Sequence, residues 1–167
     1  MTDYFALFAL SRRPWLDLEK LEEKYRELAR ETHPDQSTQR SSDFAEVNEA
    51  YRTLRDPKSR LQHLLTLEGY PQSGSTAEVP TDLMNLFMKI APALANTNKE
   101  QLNLLNKELD GCYDKAIEQV QRIDLVWNQQ TSSRMNDAED LYRRFAFLTR
   151  WKNLIEERQF ADSVVSR

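Results

Sequence analysis

The sequence predicts an all-α protein, organised as two helical domains joined by a linker. Apolar residues recur at steps of three and four along most of the 167-residue chain, which is the spacing of one face of a helix. The segment YPQSGSTAEVP breaks this pattern, and its proline, glycine and serine content is typical of a linker. We therefore divide the chain into a first domain at 1–70, a linker at 71–80 and a C-terminal three-helix bundle at 81–167.

The first domain opens with a short apolar run and a strongly amphipathic helix. The run at 4–10 fits a buried helix or a strand, and we choose the helix because no partner strand is evident. Over 18–32 the apolar side chains share one face, while Glu, Lys and Arg fill the remainder. Asp17 is the expected N-cap, and Pro34 ends the helix because it lacks an amide hydrogen. A loop at 33–41 follows.

Two further helices complete the first domain. The first of them has Asp43 and Glu46 spaced as an N-terminal capping pair. Its apolar face consists of Phe44, Val47, Tyr51 and Leu54. The dipeptide Asp56-Pro57 then supplies an N-cap and a first helical residue, which opens a short helix that ends before Gly69.

Three helices are predicted for the bundle. The first lies around 83–90 and reaches Pro92, which should kink or end it. The second is a long helix from Asn98, whose apolar stripe is Leu102, Leu105, Leu109, Cys112, Ala116, Val120, Ile123 and Trp127. Asn136 and Glu139 resemble a capping pair for the last helix. The apolar stripe of that helix is Leu141, Phe145, Leu148, Trp151 and Ile155.

Composition excludes several classes of function. The 23 Lys and Arg residues against 27 Asp and Glu give a net charge of -4, so no cationic excess is available for a nucleic acid. One cysteine and two histidines form no zinc-ligand spacing, and the three glycines build no phosphate-binding loop. The longest apolar run, at 4–10, is too short to cross a membrane, and Asp3 precedes it where a signal peptide would carry Lys or Arg. We expect no cofactor, no metal and no catalytic site of the chain's own.

One tripeptide stands out between the two long helices of the first domain. His33, Pro34 and Asp35 place an imidazole, a rigid ring and a carboxylate on the interhelical loop. Taken alone, such a tripeptide is more often a solvated helix stop than a binding site. With its surroundings, EKYRELARETHPD followed by FAEVNEAYRTLRDPKSR, it resembles the J-domain family of co-chaperones over residues 1 to about 70.

The resemblance implies docking on a DnaK-type chaperone and stimulation of the ATPase of that chaperone. The implied switch consists of His33, Pro34 and Asp35. Four residues of the preceding helix would contribute to chaperone binding, namely Tyr25 and Arg26, with Lys24 and Arg30 as weaker basic candidates. Glu27 departs from the family, in which many members carry a basic residue there. The alternative for the basic residues is a solvated helix face.

The second half resembles one branch of that family. A short all-α domain behind an N-terminal J-domain, with the segments LQHLLTLEGY and YRRFAFLTRW, is similar to the HscB (Jac) co-chaperones of iron-sulfur cluster assembly. In those proteins apolar residues of the first and last bundle helices hold the cluster scaffold IscU, and the chaperone partner is HscA. The residues that match the scaffold-binding set are Leu83, Met84, Phe87 and Phe147.

Two interpretations of that apolar set remain open. Leu83, Met84 and Phe87 have helical spacing, which fits the core of the bundle as well as a partner surface. The family is usually rich in Glu around these residues, whereas this chain has Asn85, Leu86 and Lys89. The alternative function is therefore a J-domain adaptor that recruits a different client. We expect a monomer without nucleic-acid or membrane partners, in the bacterial cytoplasm or as a mature form in the mitochondrial matrix.

Overall fold

The computed structural model describes residues 1–32, 40–70, 78–96, 99–127 and 133–165. At 40–42 and 162–165 it describes the backbone only. All regular elements in these ranges are helical, so the predicted all-α class is confirmed. The helices are α1 (Tyr4–Leu7), α2 (Leu18–Glu31), α3 (Arg40–Arg55), α4 (Pro57–Leu67), a 3₁₀ turn (Thr81–Leu83), α5 (Met84–Asn96), α6 (Lys99–Leu125) and α7 (Ser133–Val165). No helix in the described ranges is long and apolar enough to cross a membrane.

Two compact units divide the chain. The first unit combines Met1–Gln72 with Val120–Tyr142, and the second combines Ser73–Gln119 with Arg143–Arg167. In the first unit α3 packs against α1, α2 and α4. Its buried apolar side chains include Phe5, Phe8, Leu21, Leu54, Leu61, Leu64 and Leu65. The second unit buries side chains of α5, α6 and α7, including Leu86, Ile90, Leu102, Leu105, Leu109, Phe145 and Ile155.

Two of the predicted helix starts are confirmed by capping hydrogen bonds. The Asp17 carboxylate accepts hydrogen bonds from the amides of Glu19 and Lys20, at 3.1 and 3.3 Å, and so satisfies donors that a helix leaves unpaired. Asp56 accepts from the Ser59 amide at 2.8 Å in the same way, with Pro57 as the first helical residue.

The end of α4 also lies where the sequence predicts it. Gly69 has a φ of +68°, the left-handed conformation that closes a helix at low cost for glycine. The amide of Tyr70 donates to the carbonyl of Leu65 at 2.9 Å, which satisfies one of the last carbonyls of the helix.

Two predicted capping pairs are wrong. Helix α3 begins at Arg40, so Asp43 lies within its first turn and does not precede it. Helix α7 begins at Ser133, which leaves Asn136 inside the helix. In both cases the apolar stripe begins later than the helix does, because a helix can extend past the part of it that is buried.

Two other helices differ in length from the prediction. Helix α1 ends at Leu7, and Ala9 has a φ of 49°, which is incompatible with a helix over the whole of 4–10. Helix α5 continues through Pro92 to Asn96. Pro92 and Met88, whose carbonyl loses its helical partner, both lie on the exposed face, where water can replace that hydrogen bond.

Candidate functional site

Helix α2 presents one face to the core and one to solvent. Leu21 is fully buried, and Tyr25, Leu28 and Ala29 are half-buried on the same side. This division follows from the three-and-four spacing that the sequence shows. The outward side carries the charged residues, so the four predicted chaperone-binding residues of α2 do not share one environment.

Tyr25 is held by α3. Its hydroxyl donates to Oδ1 of Asn48 at 2.8 Å, and its ring stacks on Tyr51 with 4.2 Å between the ring centroids. Asn48 in turn donates to the carbonyl of Phe44 at 2.8 Å, which fixes the amide. Tyr25 therefore joins the two long helices and leaves only part of its ring on the surface.

The basic candidates differ in exposure. Arg26 and Arg30 are exposed and Lys24 is half-buried. Arg26 forms an ion pair with Glu22, one turn earlier on the helix. Both side chains of that pair are about half exposed, so solvent screens it and a partner carboxylate can compete for Arg26. The tripeptide His33, Pro34 and Asp35 lies outside the described residues.

A buried arginine fixes the corner between α3 and α4. Arg60 is 1% exposed, and its Nε donates to the carbonyl of Pro14 at 2.8 Å. Its Nη1 donates to the carbonyl of Leu54 at 2.6 Å, near the end of α3. These carbonyls lack partners within their own elements, so the guanidinium supplies donors that the backbone cannot. Arg60 thereby ties the segment before α2 to the helix that follows the interhelical loop.

His63 is a second buried polar residue of this unit. Its Nε2 accepts a hydrogen bond from the amide of Tyr4 at 3.1 Å, and its ring stacks on Tyr4 with 4.5 Å between centroids. Burial lowers the pKa of His63, Asp3 opposes that shift and Arg12 adds to it. An imidazole that accepts through Nε2 is neutral and carries its proton on Nδ1. His63 is thus an element of packing at the start of α1.

Helix α5 exposes part of the apolar set that the sequence predicts as a scaffold surface. Met84 and Phe87 are each 41% exposed. Leu83 is 2% exposed and lies in the core of the second unit, so its side chain supports the helix from the interior and forms no part of that surface. Met88, which the sequence did not single out, is 66% exposed and lies one turn after Met84.

Aromatic rings connect this face of α5 to α7. The Phe87 ring lies 5.9 Å from the Trp151 ring, and the Phe147 ring lies 5.5 Å from the same indole, centroid to centroid. Trp151 is buried, whereas Phe147 is half-buried, as its position beside the core stripe predicts. We call Met84, Phe87, Met88 and Phe147 the α5/α7 surface. Its members are apolar side chains, and the rings of Phe87 and Phe147 lie against the buried indole of Trp151, a composition typical of protein interfaces.

Two ion pairs join α6 to the helices of this surface, α5 and α7. Lys89 of α5 contacts Glu108 of α6 at 2.9 Å, and Lys152 of α7 contacts Asp110 of α6 at 2.6 Å. The hydrogen bond with Asp110 raises the pKa of Lys152, despite some burial. The charge of Lys89 is thus compensated within the unit.

The first unit also contains a polar cluster that the sequence did not reveal. The guanidinium of Arg13 donates two hydrogen bonds to the carboxylate of Asp124, from Nε at 3.1 Å and from Nη2 at 2.7 Å. The Trp15 amide donates to the same carboxylate at 3.3 Å. Nearby, Nε1 of Trp127 donates to the carbonyl of Arg12 at 3.0 Å, and Arg134 lies over the Trp127 ring. This cluster fastens the segment before α2 to the end of α6.

No signal in the sequence could have paired these residues. Arg13 and Asp124 are 111 positions apart and belong to no motif. Met88 could have been found, because it lies four residues after Met84 on the side of α5 opposite the core stripe. Among the described residues, no group of three or more His, Cys, Asp and Glu could hold a metal ion.

Comparison with known proteins identifies the family. A model of the DnaJ domain matches residues 3–63. A co-chaperone HscB homolog of a Shewanella species is 30% identical over 164 residues, which cover 89% of this chain and 91% of that protein. The chain belongs to the HscB family of J-domain co-chaperones.

Other HscB proteins are similar to the chain over part of their length or in fold. A homolog from Shewanella loihica is 38% identical over 96 residues, which span 53% of this chain and about half, 55%, of that protein. Two solved structures share the fold, chaperone HscB of Vibrio cholerae and human co-chaperone protein HscB. The first has a TM-score of 0.69 at 24% identity and covers 96% of this chain and 99% of its own. The second has a TM-score of 0.76 at 22% identity and covers 95% and 83%.

Proposed function

We propose that this HscB-type protein stimulates the ATPase of a DnaK/HscA-type chaperone and delivers the iron-sulfur cluster scaffold IscU to it. The chain then aids cluster assembly by binding and does no chemistry of its own. The chaperone site consists of the exposed side of α2, with Arg26 and Arg30, and of the tripeptide His33, Pro34 and Asp35. Lys24 and Tyr25 complete the set.

The contacts of α2 support this division of roles. Arg26 and Arg30 are one turn apart and exposed, so a carboxylate of the chaperone can reach both guanidinium groups. Tyr25 is bonded to Asn48 and stacked on Tyr51, so it contributes mainly by holding α2 at a fixed distance from α3. Asp35 would accept a bidentate hydrogen bond from an arginine of the chaperone.

The α5/α7 surface is the observation that carries the scaffold half of the proposal. Phe87 and Phe147 both rest on the buried Trp151, while the core of the unit is completed by other residues. An aromatic side chain that is 41% exposed on a rigid support is available to a partner at little entropic cost. Leu83 acts in this scheme as a support for the helix.

A second candidate function shares the chaperone half and differs in the client. Asn85, Leu86 and Lys89 stand around the apolar set of α5, where the similar family is usually rich in Glu. Lys89 places a cation at this position, and Glu108 pairs with it at 2.9 Å. A J-domain adaptor with an apolar client other than IscU fits that surface too.

One experiment tests both faces. Steady-state ATP hydrolysis by the HscA-type chaperone is measured with this protein, with IscU, and with both, alongside His33→Gln and Phe87→Ala. Linking two sites in one chain raises the effective concentration of the client, so we expect the pair to stimulate more than the sum of the two alone. His33→Gln should abolish stimulation, and Phe87→Ala should remove only the gain from IscU.

Three outcomes separate the candidates. Synergy that Phe87→Ala removes supports the scaffold function, whereas stimulation without any gain from IscU favours the adaptor. Unchanged stimulation by a folded His33→Gln protein contradicts the chaperone half. Lys58→Gln, a change on α4 outside both proposed surfaces, serves as the matched control. We propose that the protein acts in a bacterial cytoplasm, which its Shewanella relatives support, with a mature mitochondrial form as the alternative.

A further inference from the structure

Two of the five sulfur atoms of this chain lie on the α5/α7 surface. The chain has four methionines and one cysteine. Met84 and Met88 are 41% and 66% exposed, and both belong to that surface. Met135 and Cys112 are only partly exposed, and Met1 is the first residue. Beyond the first residue, the exposed sulfur atoms among the described side chains are therefore those of one short stretch of α5.

The spacing places both thioethers on one side of the helix. Residues four apart on an α-helix are neighbours on its surface, so Met84 and Met88 lie one above the other with Phe87 beside them. Leu86 and Ile90 face the core instead and are buried. A reagent that diffuses through water meets the two sulfur atoms before it meets any atom of the core.

We propose that Met84 and Met88 are a reversible oxidation site through which a peroxide weakens binding of the client. This inference rests on the proposed function of the α5/α7 surface, because it concerns regulation of that same surface. The ligand class is hydrogen peroxide or an organic hydroperoxide, and the reversing partner is a methionine sulfoxide reductase.

A peroxide oxidises each thioether by transfer of one oxygen atom to sulfur. A lone pair of the thioether sulfur attacks one oxygen of the peroxide, so that a sulfur-oxygen bond forms while the oxygen-oxygen bond breaks. The leaving hydroxide, or alkoxide in the case of an organic hydroperoxide, takes the proton from the oxygen now bonded to sulfur and departs as water or as an alcohol. Sulfur is oxidised by two electrons and the peroxide is reduced by two, and the product is methionine sulfoxide.

The product is poorly suited to an apolar interface. A thioether is a flexible apolar group that adapts to the shape of a partner. A sulfoxide carries a strong hydrogen-bond acceptor, and burying it against the client without a donor is unfavourable. Because the exposed position of Met88 leaves room for the added oxygen, oxidation does not have to disturb the core. We expect the fold and the chaperone-binding helix α2 to be unaffected.

The test uses the full chain and millimolar hydrogen peroxide. Peptide mass spectrometry follows sulfoxide formation at all four methionines, Met1, Met84, Met88 and Met135, and calorimetry measures affinity for IscU before and after treatment. We expect the two α5 residues to react before Met135, and the affinity to fall by about tenfold or more. A methionine sulfoxide reductase should restore it.

The matched variants are the double substitution Met84→Leu with Met88→Leu, and the single substitution Met135→Leu. Each protein is compared with its own untreated affinity. The double variant should lose little of its affinity in peroxide, whereas the Met135→Leu protein should lose as much as the parent chain. Equal losses in the parent and the double variant would overturn the proposal, as would full oxidation of both α5 sulfur atoms without any loss of affinity.

A second readout separates this inference from the proposed function. The dye anilinonaphthalene sulfonate binds exposed apolar surfaces whether or not IscU does. If the untreated protein fails to bind IscU, the proposed function fails. Dye fluorescence that falls on oxidation in the parent chain and not in the double variant would still support the oxidation site. If IscU does not bind, dye fluorescence that oxidation leaves unchanged in the parent chain and in the double variant would refute the oxidation site.

Discussion

Replacing Asp124 by asparagine removes the charge at the centre of the polar cluster that joins the segment before α2 to the end of α6. Its carboxylate accepts three hydrogen bonds, two from Arg13 and one from the Trp15 amide. The asparagine side chain would keep one oxygen in place but would turn an amide NH₂ group toward Nη2 of Arg13. One charge-assisted hydrogen bond is then lost and a contact between two donors is created.

The expected loss of stability follows from the geometry of this pair. A hydrogen bond to a charged group contributes about 1.5–3 kcal/mol when its surroundings are buried. The Asp124 side chain is 11% exposed, but the Arg13 side chain is 38% exposed and can regain water. Solvent therefore reduces the loss toward the lower part of that range, and we expect about 2 kcal/mol for Asp124→Asn.

Hydrogen exchange in the full chain measures this effect at the cluster itself. The amide of Trp15 donates to Asp124, so its exchange reports local opening of this segment. A loss of about 2 kcal/mol corresponds to exchange that is faster by about 30-fold. Asp110→Asn is the matched control, because it makes the same change at an exposed ion pair with Lys152, where we expect less than about 1 kcal/mol.

A double-mutant cycle completes the test. If Arg13→Ala and Asp124→Asn act through their contact, their effects should fall short of additivity by about 1–2 kcal/mol. Additive effects, or equal exchange rates for the Asp124→Asn and Asp110→Asn proteins, would refute the view that this cluster holds the two segments together.

Three further results are expected. Burial lowers the pKa of His63, so the contribution of this residue to stability should be complete above the unfolded pKa of about 6.5 and should be lost as the pH falls through the lower folded pKa. Denaturant unfolding measured from pH ~7 to ~5 should therefore show a free energy of unfolding that falls with the pH. His63→Gln should flatten this pH dependence. Leu109→Ala should lower the free energy of unfolding by about 2–5 kcal/mol through a cavity, against less than about 0.5 kcal/mol for the exposed Leu104→Ala. Tyr25→Phe should cost about 1 kcal/mol in thermal unfolding and keep the ring stack on Tyr51; a loss several times larger would contradict that assignment.

Much of the secondary structure could be predicted because its causes are local. The apolar spacing of α2 and α6, the caps at Asp17 and Asp56 and the helix end at Gly69 each depend on residues within a few positions of one another. The J-domain resemblance is local in the same sense, since its motifs follow one another in the first third of the chain. The family model of the DnaJ domain matches residues 3–63, which is the same part of the chain.

The candidate surfaces could be predicted only as a set of residue types. Leu83 and Met84 are adjacent apolar residues, and one is buried while the other is 41% exposed. Helical periodicity gives the angle between these two side chains around the helix axis. It does not give which side of the helix packs against α6 and α7. The support of Phe87 by Trp151 likewise depends on a contact between α5 and α7, whereas Phe147 and Trp151 lie one turn apart on α7 itself.

The sequence by itself determined the helical class, the order of the helices and the family to which the chain belongs. The tertiary structure alone decided that Val120–Tyr142 belongs to the same unit as Met1–Gln72, and that Arg13 meets Asp124 there. Helix formation depends on backbone hydrogen bonds and side-chain spacing within a few turns, so a single stretch of sequence records it. A contact between residues 111 positions apart depends on how whole helices pack, and no local pattern encodes it.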